Sequence, residues 1–99
     1  MSEVDQTLKR IEANASVIGT LVFDNDNTVI HDGFSDKESA EYQKHFPPLI
    51  ERARNLVRDL DPTNDLTFIR IRSDKVEYMI APGDDYTLFV AQNVVLIDA

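Results

Sequence analysis

The stretch that decides the fold is residues 66–92, which read LTFIRIR-SDK-VEYMIA-PGDD-YTLFVAQ. Three runs in it, 66–72, 76–81 and 86–92, are rich in β-branched and aromatic residues and are separated by connections of three and four residues. Runs of this composition favour β-strands. Because such short connections join only neighbouring antiparallel strands, the stretch predicts a three-stranded meander.

A hairpin is predicted earlier in the chain. Residues 17–23, VIGTLVF, are apolar at nearly every position, which is typical of a strand covered on both faces. The polar run DNDN at residues 24–27 follows, and residues 28–31 return as a second strand. Asn and Asp tolerate the left-handed backbone region and hydrogen-bond to their own main chain, so this run predicts the turn.

Two amphipathic helices complete the pattern. Ser2 followed by Asp5 predicts a helix N-terminus, with a helix over residues 3–13. The run SDKE at residues 35–38 is a capping box that predicts a second helix, which starts near Asp36 and ends before Asp61 and Pro62. The second helix carries an apolar stripe made of Leu49, Ile50, Ala53, Leu56, Val57 and Leu60.

Pro47 and Pro48 interrupt the second helical pattern. A proline has no amide hydrogen to donate and its ring clashes with the carbonyl four residues earlier. We therefore expect either a helix that restarts here, with a proline in its first turn, or a helix that is kinked.

Element order and composition define the class of protein. The order α-β-β-α-β-β-β predicts one α+β domain over residues 1–99 with a five-stranded antiparallel sheet. The 11.3 kDa chain has ten Lys and Arg against eighteen Asp and Glu, and its net charge of −8 disfavours binding to nucleic acid. It has no cysteine, no membrane-length apolar run and no signal-peptide pattern at its start, so we expect a soluble intracellular protein without disulfides.

The predicted sheet is apolar on both sides. In the last strand Leu88 and Val90 face one way and Phe89 and Ala91 the other. Two helices, one only about three turns long, do not cover both faces of five strands, which favours a partner chain or self-association. Alternatively, the short helix and residues 94–99, VVLIDA, are enough to cover the second face. This apolar segment either extends the last strand or lies over the exposed sheet face.

Two groups of residues have partial metal-ligand patterns. The run DNDNT at residues 24–28 resembles the start of a calcium loop, but Val29 stands where Gly is required and Ser35 where a bidentate Glu is required. His31 and His45 are fourteen residues apart in a chain without cysteine, which fits no standard zinc spacing. The sequence therefore predicts no metal.

A catalytic site is also disfavoured. Asp59, Asp61 and Asp65 cluster where the second helix ends, and turn chemistry explains them better than an acid–base pair. No phosphate-binding glycine motif and no nucleophile elbow is present. We expect a binding or scaffold protein without a cofactor.

Residues 58–73, RDLDPTNDLTFIRIRS, carry a specific resemblance. They closely resemble the signature of the roadblock light chain of dynein. Residues 4–11, VDQTLKRI, resemble it too, as do the tripeptide Ile-Ala-Pro at residues 80–82 and the dipeptide Asp-Tyr at residues 85–86. The resemblance covers about residues 3–93. It implies the roadblock fold, which is profilin- and longin-like, and a non-catalytic homodimer in which the second helices lie antiparallel and the third strands pair edge to edge.

The resemblance also implies site residues and partners. The dimer contacts it implies lie on helix residues 49–60 and strand residues 66–72, namely Leu49, Ala53, Leu56, Leu66, Thr67, Phe68, Ile69, Arg70 and Ile71. The dimer is expected to bind the dynein intermediate chain through Val4, Leu8 and Ile11, although packing of these three side chains on their own sheet is an equal alternative. The expected location is the microtubule-associated dynein complex of the cytoplasm, or of a cilium.

Two other functions stay open. Related domains act as platforms for small GTPases, so a GTPase regulator is the runner-up and an enzyme comes third. The chain departs from the family pattern at Pro47 and Pro48, where the family helix is continuous. It departs again at turn 24–27, which has no glycine, and at the apolar segment 94–99, where the family usually turns polar.

Overall fold

The computed structural model describes the backbone of residues 2–94 and the side chains of residues 6–94. Its elements are α1 (Ser2–Glu12), β1 (Val17–Asp24), β2 (Val29–Asp32), α2 (Asp36–Leu60), β3 (Ile69–Arg72), β4 (Val76–Pro82) and β5 (Tyr86–Asn93). The strands form one antiparallel sheet in the order β2-β1-β5-β4-β3. The predicted α+β class and five-stranded sheet are confirmed.

One element starts later than predicted. β3 begins at Ile69 rather than at Leu66. Ile69 pairs with Ile80, so the position opposite Thr67 falls on Pro82, which has no amide to donate. The amide of Leu66 instead donates to Asp65 Oδ1 at 2.8 Å, so the chain enters β3 from an irregular loop.

The second helix does not restart at its prolines. α2 runs without a break from Asp36 to Leu60, with both Pro47 and Pro48 inside it. Ser35 is its N-cap and accepts from the Glu38 amide, as the capping box predicts. The two missing amides leave the carbonyls of residues 43 and 44 without their usual helical donors, and both residues are exposed, so water reaches them.

α2 covers one face of the sheet, here called the α2 face. Its core contains Leu21 and Phe23 of β1, Ile80 of β4, and Phe89 and Ala91 of β5, all almost fully buried. Aromatic rings fill the space below α2, with centroids between 4.5 and 6.1 Å apart; they belong to Phe34, Tyr42, Phe46, Tyr78 and Phe89. Burial, and then the neighbouring Tyr78, raises the pKa of Tyr42.

The hairpin turn is held by its own side chains. Asp24 Oδ1 accepts from the amides of Asp26 and Thr28, each at 2.9 Å. Asn27 adopts a φ of 61°, the left-handed conformation predicted for this run. The Asp24 side chain and the backbone conformation of Asn27 therefore shape the turn.

Among the described residues, neither helix is long and apolar enough to cross a membrane.

The structure describes Val94 directly after β5, and residues 95–99 lie outside the described residues. The expectation that segment 94–99 extends the last strand or covers the sheet therefore stays a prediction for residues 95–99.

Candidate protein-binding surfaces

The face of the sheet opposite α2, here called the α1 face, is only partly covered. α1 is 11 residues long and packs against β1, where its Leu8 is only 5% exposed. The same face of β4 and β5 carries Met79, Leu88 and Val90, which α1 does not reach across. As predicted, the sheet has two apolar faces, and the helices do not cover both of them completely.

An apolar groove of about 400 Å³ lies beside α1 on this face. Met79, Ala81, Leu88 and Val90 form its floor. Ile11 and Arg10 of α1 line one side, and the half-exposed Phe68 lines the side towards β3. Grooves of this size and composition fit apolar side chains from another segment.

The three α1 residues expected to bind a partner are placed differently from one another. Leu8 is buried against the chain's own sheet and presents almost no surface. Ile11 is half-buried and lines the groove. The side chain of Val4 lies outside the described residues.

Glu12 connects the end of α1 to the sheet through hydrogen bonds. Its Oε2 accepts a 2.8 Å hydrogen bond from Thr20 Oγ1 and lies 3.3 Å from His31 Nε2. His45 lies elsewhere, on the exposed side of α2, 3.4 Å from Glu41. The part of the chain that the structure describes contains no cluster of three or more His, Cys, Asp or Glu side chains that fits a metal ion.

A buried carboxylate on β4 is hydrogen-bonded to Gln92, a residue of the groove lining. Glu77 of β4 is 2% exposed and accepts from Arg70 Nε at 2.7 Å and Nη2 at 3.1 Å, and from Gln92 Nε2 at 3.0 Å. Arg72 Nε lies 3.5 Å away. Hydrogen bonding from Arg70 in particular holds the pKa of Glu77 below its usual value. This network links β3, β4 and β5. It depends on strand register, so the sequence did not reveal it.

A second uncovered surface lies at the β3 edge. β3 pairs only with β4, so its outer side has no neighbouring strand within the described chain. Phe68, just before β3, and Ile71, in β3, are 50% and 36% exposed. Near the end of α2, Leu56 and Leu60 are 59% and 79% exposed. An unpaired edge with apolar side chains beside it is a template for another chain.

The remaining residues of the implied dimer surface differ in their burial. Thr67 and Arg70 are exposed. Leu49 and Ala53 of α2 are half-buried, and Leu66 and Ile69 pack partly against the core of the α2 face. Leu66 and Ile69 therefore serve the chain's own core, and the implied dimer surface stays a prediction.

The aspartates near the end of α2 have structural partners. Asp61 Oδ1 accepts from the amide and the hydroxyl of Thr63, and its pKa is lowered mainly by the hydroxyl. Asp65 accepts from the Leu66 amide and from Arg58 Nη2 at 3.1 Å, which lower its pKa. A lowered pKa keeps both carboxylates ionised, which is the opposite of what a general acid needs.

A family model described as the Roadblock/LC7 domain matches residues 3–93. The chain belongs to the Roadblock/LC7 family. Members of this family are generally non-catalytic scaffold or regulator domains that form dimers and bind partners.

Solved structures share the Roadblock/LC7 fold. The chain is similar to a Roadblock/LC7 domain from Streptomyces avermitilis, with a TM-score of 0.72 and 12% identity over 90% of this chain and 73% of that one. It is also similar to MglC from Myxococcus xanthus, with a TM-score of 0.58 and 16% identity over 95% of this chain and 82% of that one. At these identities the likeness concerns the fold alone.

Proposed function

We propose that this Roadblock/LC7 chain is a non-catalytic light chain of the dynein motor that acts as a homodimer, binds the dynein intermediate chain and contributes to cargo linkage in microtubule-based transport. The observation that carries the proposal is the position of segment 58–73. The segment that resembles the dynein light-chain signature forms the end of α2, the following loop and the edge strand β3. The distinctive sequence therefore coincides with an uncovered apolar edge.

The β3 edge supports a symmetric dimer. If β3 of one protomer pairs antiparallel with β3 of a second copy, the two five-stranded sheets join into one and the unpaired backbone groups are satisfied. The α2 helices then lie side by side, and Leu56 and Leu60 leave the solvent. One contact thus covers both the edge and the apolar helix surface.

The groove on the α1 face supports binding of an amphipathic helix from the intermediate chain. Ile11 contributes contact surface there, and Leu8 acts by fixing α1 on the sheet. Val4, one turn before Leu8, is proposed to extend the same surface. Two such sites in a dimer would engage two intermediate chains, so each weak contact gains from avidity. The complex is proposed to be cytoplasmic or ciliary.

The oligomeric state tests the dimer part of the proposal. Leu56→Asp places a charge on the exposed α2 surface and is expected to give monomers in sedimentation equilibrium at micromolar concentration. Ile30→Asp is the matched control, because Ile30 is 48% exposed on β2 at the opposite edge of the sheet. The control and the natural chain are expected to be dimers, and a monomeric natural chain would contradict the proposal.

Co-purification from cell extract tests the partner. The natural chain and Ile30→Asp are expected to retain dynein intermediate chain, whereas Ile11→Asp, which places a charge in the groove, is expected to lose it while remaining dimeric. Retention by the Ile11→Asp dimer would exclude the groove as the binding site. Failure of every variant, and of the natural chain, to retain intermediate chain would exclude the dynein function.

A platform for a small GTPase is the second candidate. Both solved structures reported above come from bacteria, so the fold occurs outside a dynein setting and does not by itself select the partner. This function predicts a complex with a GTPase whose affinity depends on the bound nucleotide. A co-purified GTPase with such dependence, in the absence of intermediate chain, would favour it over the dynein function.

A further inference from the structure

Four exposed side chains form one stripe on the outer surface of α2, here called the α2 stripe. Its members line a surface depression of about 360 Å³ and are Arg52, Asn55, Leu56 and Asp59. Residues at this spacing of three, four and seven positions lie on the same side of a helix. The stripe therefore presents an amide and an apolar side chain in its middle and one charge at each end.

The two charges of the α2 stripe have no partner in the part of the chain that the structure describes. Arg54 and Arg58, which also belong to α2, both pair with Asp65. In contrast, Arg52 and Asp59 make no ion pair and no side-chain hydrogen bond among the described residues. Seven residues separate them by about 10.5 Å along the helix axis, so they do not pair with each other.

The order of these charges fits a second copy of the chain. In a contact with two-fold symmetry, residue i of one copy touches residue j of the other, and j touches i. When two antiparallel α2 helices meet about an axis between residues 55 and 56, Arg52 of each copy lies opposite Asp59 of the other. Two parallel helices in register would instead place like charges opposite each other, which opposes association.

The middle of the α2 stripe is also complementary to itself. Leu56 is 59% exposed and lies beside the symmetry axis, so its counterpart in the second copy covers it. Asn55 carries an amide that both donates and accepts, and two such amides near one axis satisfy each other. A single polar residue of this kind in a helix pair specifies its register.

We propose that two crossed ion pairs, each between Arg52 of one copy and Asp59 of the other, fix the antiparallel register of α2 in the dimer. The inference rests on the proposed homodimer, and it adds the residues that select a second copy of this chain as the partner. A related chain without this pair of opposite charges fits the stripe less well.

Charge reversal followed by rescue tests the proposal. Arg52→Asp makes both ends of the stripe acidic, and Asp59→Arg makes both ends basic, so each variant repels its own copy. In sedimentation equilibrium, each is expected to raise the dissociation constant of the dimer by roughly a hundredfold or more. An equal mixture of the two should form heterodimers of natural affinity, because every crossed pair again joins opposite charges. The variants differ in mass, so native mass spectrometry distinguishes heterodimers from homodimers.

A double variant and two controls complete the experiment. Arg52→Asp/Asp59→Arg exchanges the two charges and should restore the homodimer. Lys9→Asp on α1 and Asp26→Arg in turn 24–27 make charge changes of the same size at exposed positions outside α2. Both controls should leave the dissociation constant unchanged.

The contrary outcomes separate this inference from the proposed function. If either single variant dimerises as tightly as the natural chain, the crossed pairs do not form. If both variants are monomers and their mixture stays monomeric, the register is a different one. With a dimeric natural chain, each of these results overturns the inference and leaves the proposed homodimer standing. A monomeric natural chain would overturn both.

Discussion

At the scale of single residues, Glu77 shows how a charge is retained inside a small sheet. A carboxylate that is 2% exposed loses its hydration, which opposes ionisation. Arg70, Gln92 and Arg72 surround both of its oxygens, and the balance lowers the pKa of Glu77. The two arginines are about 60% exposed, so their charged ends stay hydrated while they hold the buried partner.

The lowered pKa of Glu77 predicts acid sensitivity. The folded chain favours the ionised form relative to the unfolded chain, so the network stabilises fully above the ordinary pKa of 4.5 and loses this contribution as pH falls through the lowered folded value. Urea unfolding between about pH 6 and pH 2.5 is expected to show a flatter profile for Glu77→Gln than for the natural chain. Asp61 and Asp65, whose pKa values are also lowered, contribute to the slope that remains. Parallel profiles for the two chains would contradict this role of Glu77.

Gly19 predicts a steric effect at a single position of β1. A Cβ added there lies 2.7 Å from Cδ1 and Cε1 of Phe34 and 2.8 Å from the Gly33 carbonyl oxygen. The Phe34 ring packs 4.8 Å from Tyr42 and has little room to shift, so Gly19→Ala should lower the free energy of unfolding by about 1–3 kcal/mol. Gly33→Ala is the comparison. An added Cβ there lies 2.9 Å from Glu12 Oε2, a side-chain end rather than a packed ring, and 3.3 Å from the Thr20 carbonyl oxygen, so urea unfolding should show a smaller loss.

At the scale of elements, features that depend on residues close together in the sequence were predictable. Features that depend on the register between strands were not. The Ser35 cap and turn 24–27 satisfy their backbone groups with side chains a few residues away, so their residue types reveal them. The start of β3 depends on Pro82 of a neighbouring strand, and the Glu77 network depends on the register of three strands. The groove likewise arises only when a short α1 meets a wide sheet.

The prolines of α2 predict a stability change at the level of the helix. Pro48 is exposed, and Pro48→Ala restores an amide donor to the Lys44 carbonyl and removes a ring clash. Interior proline costs a helix about 3 kcal/mol, and the more flexible unfolded chain of the variant offsets part of the gain, so we expect the free energy of unfolding to rise by about 1–2 kcal/mol. Pro62→Ala, beyond the helix end, should bring no gain in the same urea titration. A loss of stability in Pro48→Ala would show that the ring itself is needed.

At the scale of the whole molecule, the protomer is more open than its mass requires. It exposes 7046 Å², whereas a compact chain of this mass exposes about 5,700 Å². Its radius of gyration is 14.2 Å, against about 12.6 Å for a compact domain of this length. Among the described residues, the β3 edge and the apolar groove on the α1 face are the surfaces on which the proposed dimer and partner contacts lie.

The proposed burial of the β3 edge in a dimer predicts that thermal stability depends on concentration. When unfolding separates two chains, each tenfold rise in concentration adds about 1.4 kcal/mol per dimer, which raises Tm by roughly 3 °C for two chains of this length. Differential scanning calorimetry of the natural chain and of Ile30→Asp should show this rise, whereas Leu56→Asp, monomeric at every concentration, should melt at a fixed and lower temperature. A fixed Tm in the natural chain would mean that folding does not require the second copy, and the exposed α2 surface would then need another partner.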